Sequence, residues 1–437
     1  MSRFSMLQEL FTNLSERSLS LFAPGTGAKP DVKTLLEWCD TLLSRKGEAS
    51  GVAWAQRLLE GFRSLDDESR LAFYRELAKR YQPDPADVLE KTTAYIKNQN
   101  AETLKQLNIT VEPQRQELFR RLNLAPNGTT SLVGFRQGLF QYLKAAPELK
   151  TVDNDLRHLF SSWFNRGFLV LRRIDWSTPA LLLEKIIQYE AVHEINGWDD
   201  LRRRVNPSDR RCFAFFHPAL GEDPLIFVEV ALSRETPGSI AAVLDENRQP
   251  DNGEKPTTAV FYSISNCQDG LRGVSFGSFL IKQVVRELSQ ELPSLNRFVT
   301  LSPVPGFVRW LRFNRDEGVG VANRCASALK IIDQPNWIND DEKNTAAKKI
   351  LMPLVVHYLI TVQHKNLPLD PVARFHIGNG SSLDRINWAA DTSALALQQS
   401  AGIMVNYLYD LDKIEVNHEA CAERGIVTVS RNVNSLL

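Results

Sequence analysis

A short glycine-containing stretch from Leu271 to Ser278 is a candidate site where backbone N–H groups bind an anion. It runs Leu-Arg-Gly-Val-Ser-Phe-Gly-Ser, and glycines let a backbone turn tightly or approach a ligand closely. A helix that begins in such a turn presents free N–H groups and a positive dipole end, which suit a phosphate or a developing oxyanion. The spacing matches neither a dinucleotide fingerprint nor a phosphate-binding P-loop. A glycine turn needed only for packing a strand against a helix is the competing interpretation.

Other residues with chemical potential also have competing interpretations. His376 lies in a stretch rich in proline and glycine, residues 367–380, but a lone histidine is usually structural. Cys267 beside the glycine stretch is a candidate nucleophile, yet no positive neighbour or helix start is aimed at it, which favours an incidental thiol. A cluster of arginines suits either a nucleotide phosphate or a salt-bridged surface; its members are Arg202, Arg203, Arg204, Arg210 and Arg211.

The sequence predicts no metal site and no cofactor. No His/Asp/Glu cluster stands at ligand spacing, and no Cys-x-x-Cys pair is present. No lysine motif suggests a Schiff base. The five cysteines are odd in number and scattered, which argues against a disulfide framework and for a reducing compartment.

The elements around the glycine stretch form a strand, turn, helix, strand unit. Residues 259–265 are rich in aromatic and β-branched side chains, which predicts a strand. Apolar residues recur at helical spacing over residues 279–292, and Pro293 ends that helix. Residues 297–301 predict another strand, and Ser302 stands where Pro303 forces it to end.

The whole chain predicts two soluble domains. Its 437 residues exceed what one core usually organises. Lysine plus arginine and aspartate plus glutamate both number 52, so no overall field draws the chain to nucleic acid. The longest apolar run, residues 350–362, is too short to span a bilayer. We therefore expect a cytoplasmic protein that binds neither nucleic acid nor membrane.

The two domains are predicted to differ in class. Residues 1–165 show one amphipathic helical pattern after another, starting with residues 1–22, which an organelle transit peptide also fits. Residues 166–437 mix β-rich runs with helical ones, which indicates an α/β or α+β domain. Within it we expect helices over residues 307–365, an extended segment over 367–380, and a helix over 393–409.

Five motifs together resemble the malonyl-CoA decarboxylase family. They are FYSIS at 261–265, GLRGVSFGSFLIKQVVREL at 270–288, LSPVPGF at 301–307, FHIGNG at 375–380 and RINWAADTS at 385–393. The resemblance runs from about Trp163 to Tyr409. In addition, Arg272 to Gly277 resembles the pyrophosphate loop of acyl-CoA-binding proteins with the GNAT-type acetyltransferase fold, with Ser275 where a glycine is usual.

The resemblance implies a fold, an activity and a site. The fold is α+β, an all-helical N-terminal domain followed by a GNAT-like α/β catalytic domain. The activity is the conversion of malonyl-CoA to acetyl-CoA and CO2, a carboxy-lyase reaction of fatty acid metabolism. Independently of the resemblance, the amphipathic helices of residues 1–165 carry no cluster of ligand-type residues, so we expect them to form the contacts of a homo-oligomer, dimer or tetramer, or to cover the active site. Ser302 and His376 match the family's catalytic serine and histidine, with His376 assigned as proton donor and Ser302 as hydrogen-bond donor to carboxylate or enolate. The residues that match the malonyl-CoA contact segment are Arg272, Gly273, Val274, Ser275, Phe276, Gly277, Ser278 and Ile281.

Two other functions fit parts of the pattern. The pyrophosphate-loop pattern alone equally fits an N-acyltransferase of the GNAT type, and a scaffold that binds CoA thioesters without turnover needs only the pocket. Both leave the joint presence of Ser302 and His376 unexplained. Animal members of the family carry an acidic residue at the position of Ser275, so no charged role is expected of that side chain here.

Overall fold

The chain divides into two compact units. The computed structural model describes residues 29–44, 48–248, 255–274, 279–317 and 321–436, so the helix predicted over residues 1–22 lies outside the described residues. One unit extends to Leu169 and also contains His217–Glu222 and the segment that starts at Gln268. The other begins at Val170 and contains the rest of the chain.

The first unit is helical throughout its described residues. Its helices are α1 (Val32–Ser44), α2 (Glu48–Arg63), α3 (Asp67–Arg80), α4 (Pro85–Lys97), α5 (Ala101–Val111), α6 (Gln114–Leu122), α7 (Gly128–Leu139) and α8 (Lys150–Trp163). Side-chain caps set several helix starts: Asp66 accepts from the Ser69 N–H, and Asp84 precedes Pro85 at the first position of α4. Phe62, Tyr74 and Phe135 pack ring to ring in the core.

The second unit is built on a mixed sheet. Its strands are β1 (Val170–Ile174), β2 (Arg210–Phe216), β3 (Pro224–Ser233), β4 (Thr258–Asn266), β5 (Arg297–Thr300), β6 (Ser302–Pro303), β9 (Ser382–Asn387) and β10 (Met404–Leu408), with β7 (Gln363–His364) and β8 (Leu367–Pro368) as a separate pair. The order is β1-β2-β3-β4-β5-β10-β6, with β9 also on β10. The β4–β5 pair is parallel, and the other described pairs are antiparallel.

Helices accompany the strands of this unit. They are α9 (Ala180–Tyr189), α10 (Trp198–Val205), α11 (Ile240–Leu244), α12 (Phe279–Glu291), α13 (Phe307–Glu317), α14 (Ala322–Ile332), α15 (Asp341–Ile360), α16 (Pro371–Gly378), α17 (Ala394–Ser400), α18 (Ile414–Arg424) and α19 (Arg431–Asn434). The strand, turn, helix, strand unit predicted around the glycine stretch is present as β4, α12 and β5. In the part of the chain that the structure describes, no helix combines the length and hydropathy that a bilayer crossing requires.

Two local predictions are wrong. Residues 367–380 are not extended: Asp370 caps a helix whose first residue is Pro371, the same Asp-Pro start as at Asp84. The helix predicted over residues 393–409 is the short α17 followed by strand β10, which β5, β6 and β9 flank. A strand buried within a sheet has no alternating pattern that separates it from a helix. The predicted α+β class, with helices alone at the N-terminal end and a mixed sheet after them, is confirmed.

Candidate active site

The structure brings Ser302 and His376 together. Their Oγ and Nε2 atoms lie 3.2 Å apart, within hydrogen-bonding distance. The two residues are 74 positions apart in the chain, and both are buried, at 6% and 3% exposure. Ser302 opens β6, and His376 lies in α16. A buried hydroxyl and imidazole in contact form the chemical centre of this unit.

The strands around Ser302 fix its hydroxyl. The Ser302 O–H donates to Thr300 Oγ1 at 2.9 Å. Thr300 lies two residues earlier in the chain, and side chains two residues apart in an extended segment point to the same side. Thr300 Oγ1 is itself held, because it also accepts the Tyr407 N–H at 3.1 Å. The Asn406 side chain donates to the Thr300 carbonyl at 2.7 Å. Strand β10 therefore holds the Ser302 hydroxyl indirectly, through Thr300.

A buried carboxylate fixes the helix that carries His376. Asp370 Oδ1 accepts the N–H groups of Val372 and Ala373 at 3.0 and 3.1 Å, which caps α16. Its other oxygen accepts the Gly306 N–H at 3.0 Å. One side chain thus connects the start of the His376 helix to the turn after Ser302. Burial raises the pKa of Asp370, and hydrogen bonds from backbone N–H groups act in the opposite direction.

Two tyrosines hold the His376 ring. The Tyr407 ring stacks on it with centroids 4.7 Å apart and an interplanar angle of 23°. The Tyr409 hydroxyl lies 2.8 Å from Nδ1. Burial raises the pKa of Tyr409 well above its ordinary value, so this hydroxyl is protonated in the resting protein.

The hydrogen-bond directions assign the histidine tautomer. The single Ser302 proton points to Thr300, so the contact between Ser302 and His376 requires Nε2–H as the donor. Nδ1 is then the acceptor for the Tyr409 O–H. Burial lowers the pKa of His376 to about 3, because the charged imidazolium loses its hydration. The ring is therefore neutral near neutral pH, and its two nitrogens have different roles.

The described start of the predicted binding loop belongs to the helical unit. Gly273 has a φ of 80°, a conformation that side chains disfavour. The Val274 N–H donates to the Leu271 carbonyl at 2.9 Å, so it is occupied. Arg272 is exposed, pairs with Asp269 at 3.1 Å and lies over the Phe140 ring at 5.4 Å.

The rest of the predicted contact segment is described only at Ile281. Ser275, Phe276, Gly277 and Ser278 lie outside the described residues. Ile281 is 1% exposed and belongs to the buried face of α12. Substrate contact by this segment stays a prediction.

The structure favours the unreactive interpretation of Cys267. The thiol is buried, and burial raises its pKa, so the nucleophilic thiolate is disfavoured.

Carboxylates and carbonyl groups occupy the arginine cluster. Arg204 pairs with Asp200 at 3.0 Å, and Arg211 pairs with Glu291 at 2.6 Å. Arg210 is buried and donates to the Val243 carbonyl at 2.6 Å. These contacts give the cluster a structural explanation that needs no phosphate.

Four site residues escaped the sequence analysis: Thr300, Asp370, Tyr407 and Tyr409. Asp370 carried a usable signal, because Asp-Pro is a helix-start signature. Thr300 stands two residues before Ser302 and so shares its face in an extended chain. The two tyrosines had no local signal, since their contacts depend on how β10 pairs. Among the described residues, no group of three or more His, Cys, Asp or Glu side chains could hold a metal ion.

Two family models match most of the chain. Residues 167–437 match the family model of the malonyl-CoA decarboxylase C-terminal domain, and residues 81–164 match that of the N-terminal domain. The chain belongs to the malonyl-CoA decarboxylase family. Its members are decarboxylases, so the predicted enzyme class, a carboxy-lyase, is confirmed.

Relatives of the malonyl-CoA decarboxylase family match most of the chain. The mitochondrial malonyl-CoA decarboxylase of Rattus norvegicus is 33% identical over 396 residues, which cover 83% of this chain and 80% of that protein. The crystal structure of the Rhodopseudomonas palustris malonyl-CoA decarboxylase has a TM-score of 0.89 at 50% identity, covering 93% of this chain and all of that one. The Agrobacterium vitis structure has a TM-score of 0.86 at 52% identity, covering 92% and 99%. Since the rat relative is named as mitochondrial, the cytoplasmic location stays a prediction.

Proposed function

We propose that this protein converts malonyl-CoA to acetyl-CoA and CO2, with Ser302 and His376 at the reacting carbon. The observation that carries the proposal is the buried hydrogen bond between Ser302 Oγ and His376 Nε2, 3.2 Å long, in a chain of a decarboxylase family. Neither an acyltransfer reaction nor mere thioester binding explains why these two groups meet.

The reaction requires charge stabilisation and one proton. The bond between C2 and the carboxyl carbon breaks, its electron pair remains as the thioester enolate, and CO2 leaves. C2 then takes up a proton to give acetyl-CoA. Preorganised donors at the enolate oxygen are worth roughly 2.7 to 4 kcal/mol each. We assign the CoA end of the substrate to the loop of residues 272–278, as the family resemblance implies.

We assign the proton transfer to a relay of three side chains. The Ser302 O–H gives its proton to C2 and receives one from His376 Nε2. His376 receives one at Nδ1 from Tyr409. Solvent then reprotonates Tyr409, and the imidazole returns to its Nε2–H tautomer before the next turnover. This direction agrees with the tautomer assigned from the Ser302–Thr300 hydrogen bond, in which Nε2–H faces Ser302 and Nδ1 faces the Tyr409 hydroxyl.

The relay exchanges the roles that the sequence suggested. Direct donation by His376 requires an imidazolium, and burial lowers the pKa of His376 to about 3. A neutral imidazole instead accepts a proton on one nitrogen while it releases another, so no buried positive charge has to form. Ser302 is then the immediate donor, and His376 supplies it.

Incubation of the purified protein with malonyl-CoA alone tests the proposed function. We expect equal amounts of acetyl-CoA and CO2 without added acceptor or metal. Ser302→Ala should lower this turnover by roughly 10²- to 10⁴-fold. Ser400→Ala is the matched control, because Ser400 is equally buried in the same unit and donates only within its own helix, to the Ala396 carbonyl at 3.0 Å. Absence of turnover in the parent, or unchanged turnover in Ser302→Ala, would refute the proposal.

A further inference from the structure

The helical unit contains an open cavity whose residues the catalytic proposal does not use. It has a volume of about 240 Å³ and lies among α2, α3 and α7. Its floor is apolar and aromatic, formed by Leu59, Phe62, Tyr74 and Phe135. These four residues are buried, between 1% and 8% exposed.

The floor is rigid. Phe135 packs against Phe62 with centroids 4.6 Å apart and against Tyr74 at 4.7 Å. The Tyr74 hydroxyl is satisfied, because it donates to the Phe135 carbonyl at 2.7 Å. A preformed apolar surface of this kind binds an apolar group without a large ordering cost.

Glycines on α7 keep the cavity open. Gly134 and Gly138 both line it. A Cβ at Gly134 would meet no atom within 4 Å, whereas one at Gly138 would lie 3.2 Å from the Tyr74 hydroxyl. Glycine inside a helix costs about 0.5–1 kcal/mol relative to alanine. The two glycines therefore leave the cavity open but lower the stability of α7.

The mouth of the cavity is positively charged. Arg63 donates to the Ser131 hydroxyl, and Arg70 donates to the Arg63 carbonyl at 2.9 Å. Arg70 Nε is buried and has no hydrogen-bond partner among the described residues. A buried donor without a partner is costly, and a bound anion would satisfy it.

The start of α7 adds to this field. Thr130 and Ser131 line the mouth in the first turn of α7. The preceding residue, Asn127, makes no side-chain cap to this helix. The positive end of the helix dipole therefore lacks a polar side chain at its cap, which favours a negative ligand group there.

The acidic neighbours leave the arginines accessible. Asp67 lies 3.6 Å from Arg70 Nη1, but the Asp67 side chain is 78% exposed, and exposed pairs of this kind are weak. Asp66 is occupied as the cap of α3, accepting the Ser69 N–H at 2.8 Å. An entering carboxylate competes only with a weak surface pair.

We propose that this cavity binds a small monocarboxylate with an unbranched apolar tail. The cavity of about 240 Å³ has room for a short alkyl chain. The tail lies against Phe62, Tyr74 and Phe135, and the carboxylate lies between Arg63, Arg70 and the start of α7. The cavity is lined by residues of the helical unit, whereas Ser302 and His376 belong to the other unit.

Titration calorimetry of the full chain with octanoate tests the proposal. We expect saturable binding, and octylamine, with the same tail and the opposite charge, should bind at least about tenfold more weakly. Equal affinity for the two ligands, or no saturable octanoate binding, would overturn the proposal.

Two variants test the location of the site. Gly134→Leu puts a side chain into the cavity, and Gly51→Leu is its control, since Gly51 lies in α2 with nothing within 4 Å of its Cβ and is not among the lining residues. Arg70→Met removes the charge and leaves the cavity. Both Gly134→Leu and Arg70→Met should lower octanoate affinity at least about tenfold, and Gly51→Leu should not. Parental binding in Arg70→Met would reject the site even if Gly134→Leu failed to fold.

Discussion

At the scale of single residues, Tyr409 is the group that distinguishes a relay from an isolated Ser–His pair. Its hydroxyl lies 2.8 Å from His376 Nδ1, within hydrogen-bonding distance. We expect Tyr409→Phe to lower kcat about 10²-fold, the low end for a positioned proton-transfer group, with little change in KM. Tyr262→Phe is the control, because Tyr262 is buried in the same unit and its hydroxyl has no partner among the described residues. Parental kcat in Tyr409→Phe would remove it from the relay.

The burial of His376 also predicts a pH dependence of stability. Its pKa is about 3 in the folded protein and about 6.5 in an unfolded chain. Between these two pH values the histidine is protonated in the unfolded chain and neutral in the folded protein. The free energy of unfolding therefore decreases as the pH falls from about 6.5 towards 3. The free energy of unfolding of the parent should fall more steeply between about pH 6.5 and 4 than that of His376→Gln. Parallel curves would show that this histidine is not neutral in the fold.

At the scale of elements, a helix or strand could be predicted from the sequence where its own residues carry the pattern that defines it. β4, α12 and β5 were predictable because aromatic runs, helical spacing and Pro293 mark them in the sequence. β10 was missed, since its apolar residues are buried within the sheet and show no alternation. Ser302 and His376 were found through family motifs, whereas the contacts of Tyr407 and Tyr409 arise from long-range strand pairing. The pairing Val405 with Ser302 decides where those tyrosines lie.

The contribution of the Asp370 helix cap to stability can be tested by comparing it with the Asp84 cap. Asp370→Ala leaves three N–H groups without their acceptor, including that of Gly306. Asp84→Ala removes an exposed cap of the same Asp-Pro type, which bonds only the Ala86 N–H. We expect a loss of about 1 kcal/mol or less for Asp84→Ala and about 2–4 kcal/mol for Asp370→Ala, measured by urea unfolding. Equal losses would mean that the buried connection to Gly306 adds nothing.

At the scale of the whole molecule, α4 and α5 carry apolar side chains that their own unit leaves exposed. Neither helix has a buried residue. The large apolar residues at least 41% exposed on them are Leu89, Ile96, Leu104, Ile109 and Val111. A patch of this kind marks an interaction surface, and a second copy of the chain is the partner that the predicted homo-oligomer implies.

Sedimentation tests this surface. The double variant Leu89→Ser/Ile109→Ser should shift the parent oligomer towards monomer at micromolar concentration, because it removes apolar area from the contact. Leu395→Ser/Leu411→Ser is the control, with two residues of the other unit at 55% and 53% exposure. A parent that sediments as a monomer, or an unchanged oligomer in the first variant, would contradict the prediction.

Ser302 and His376 are proposed to act as one unit on the malonyl carbon. The kcat of Ser302→Ala, of His376→Ala and of the double variant with malonyl-CoA tests this proposal. Each single change should lower kcat by roughly 10²- to 10⁴-fold. The double variant should be scarcely slower than the slower single variant, because residues that serve one proton path are not additive. Fully additive losses, or near-parental turnover in either single variant, would contradict the account.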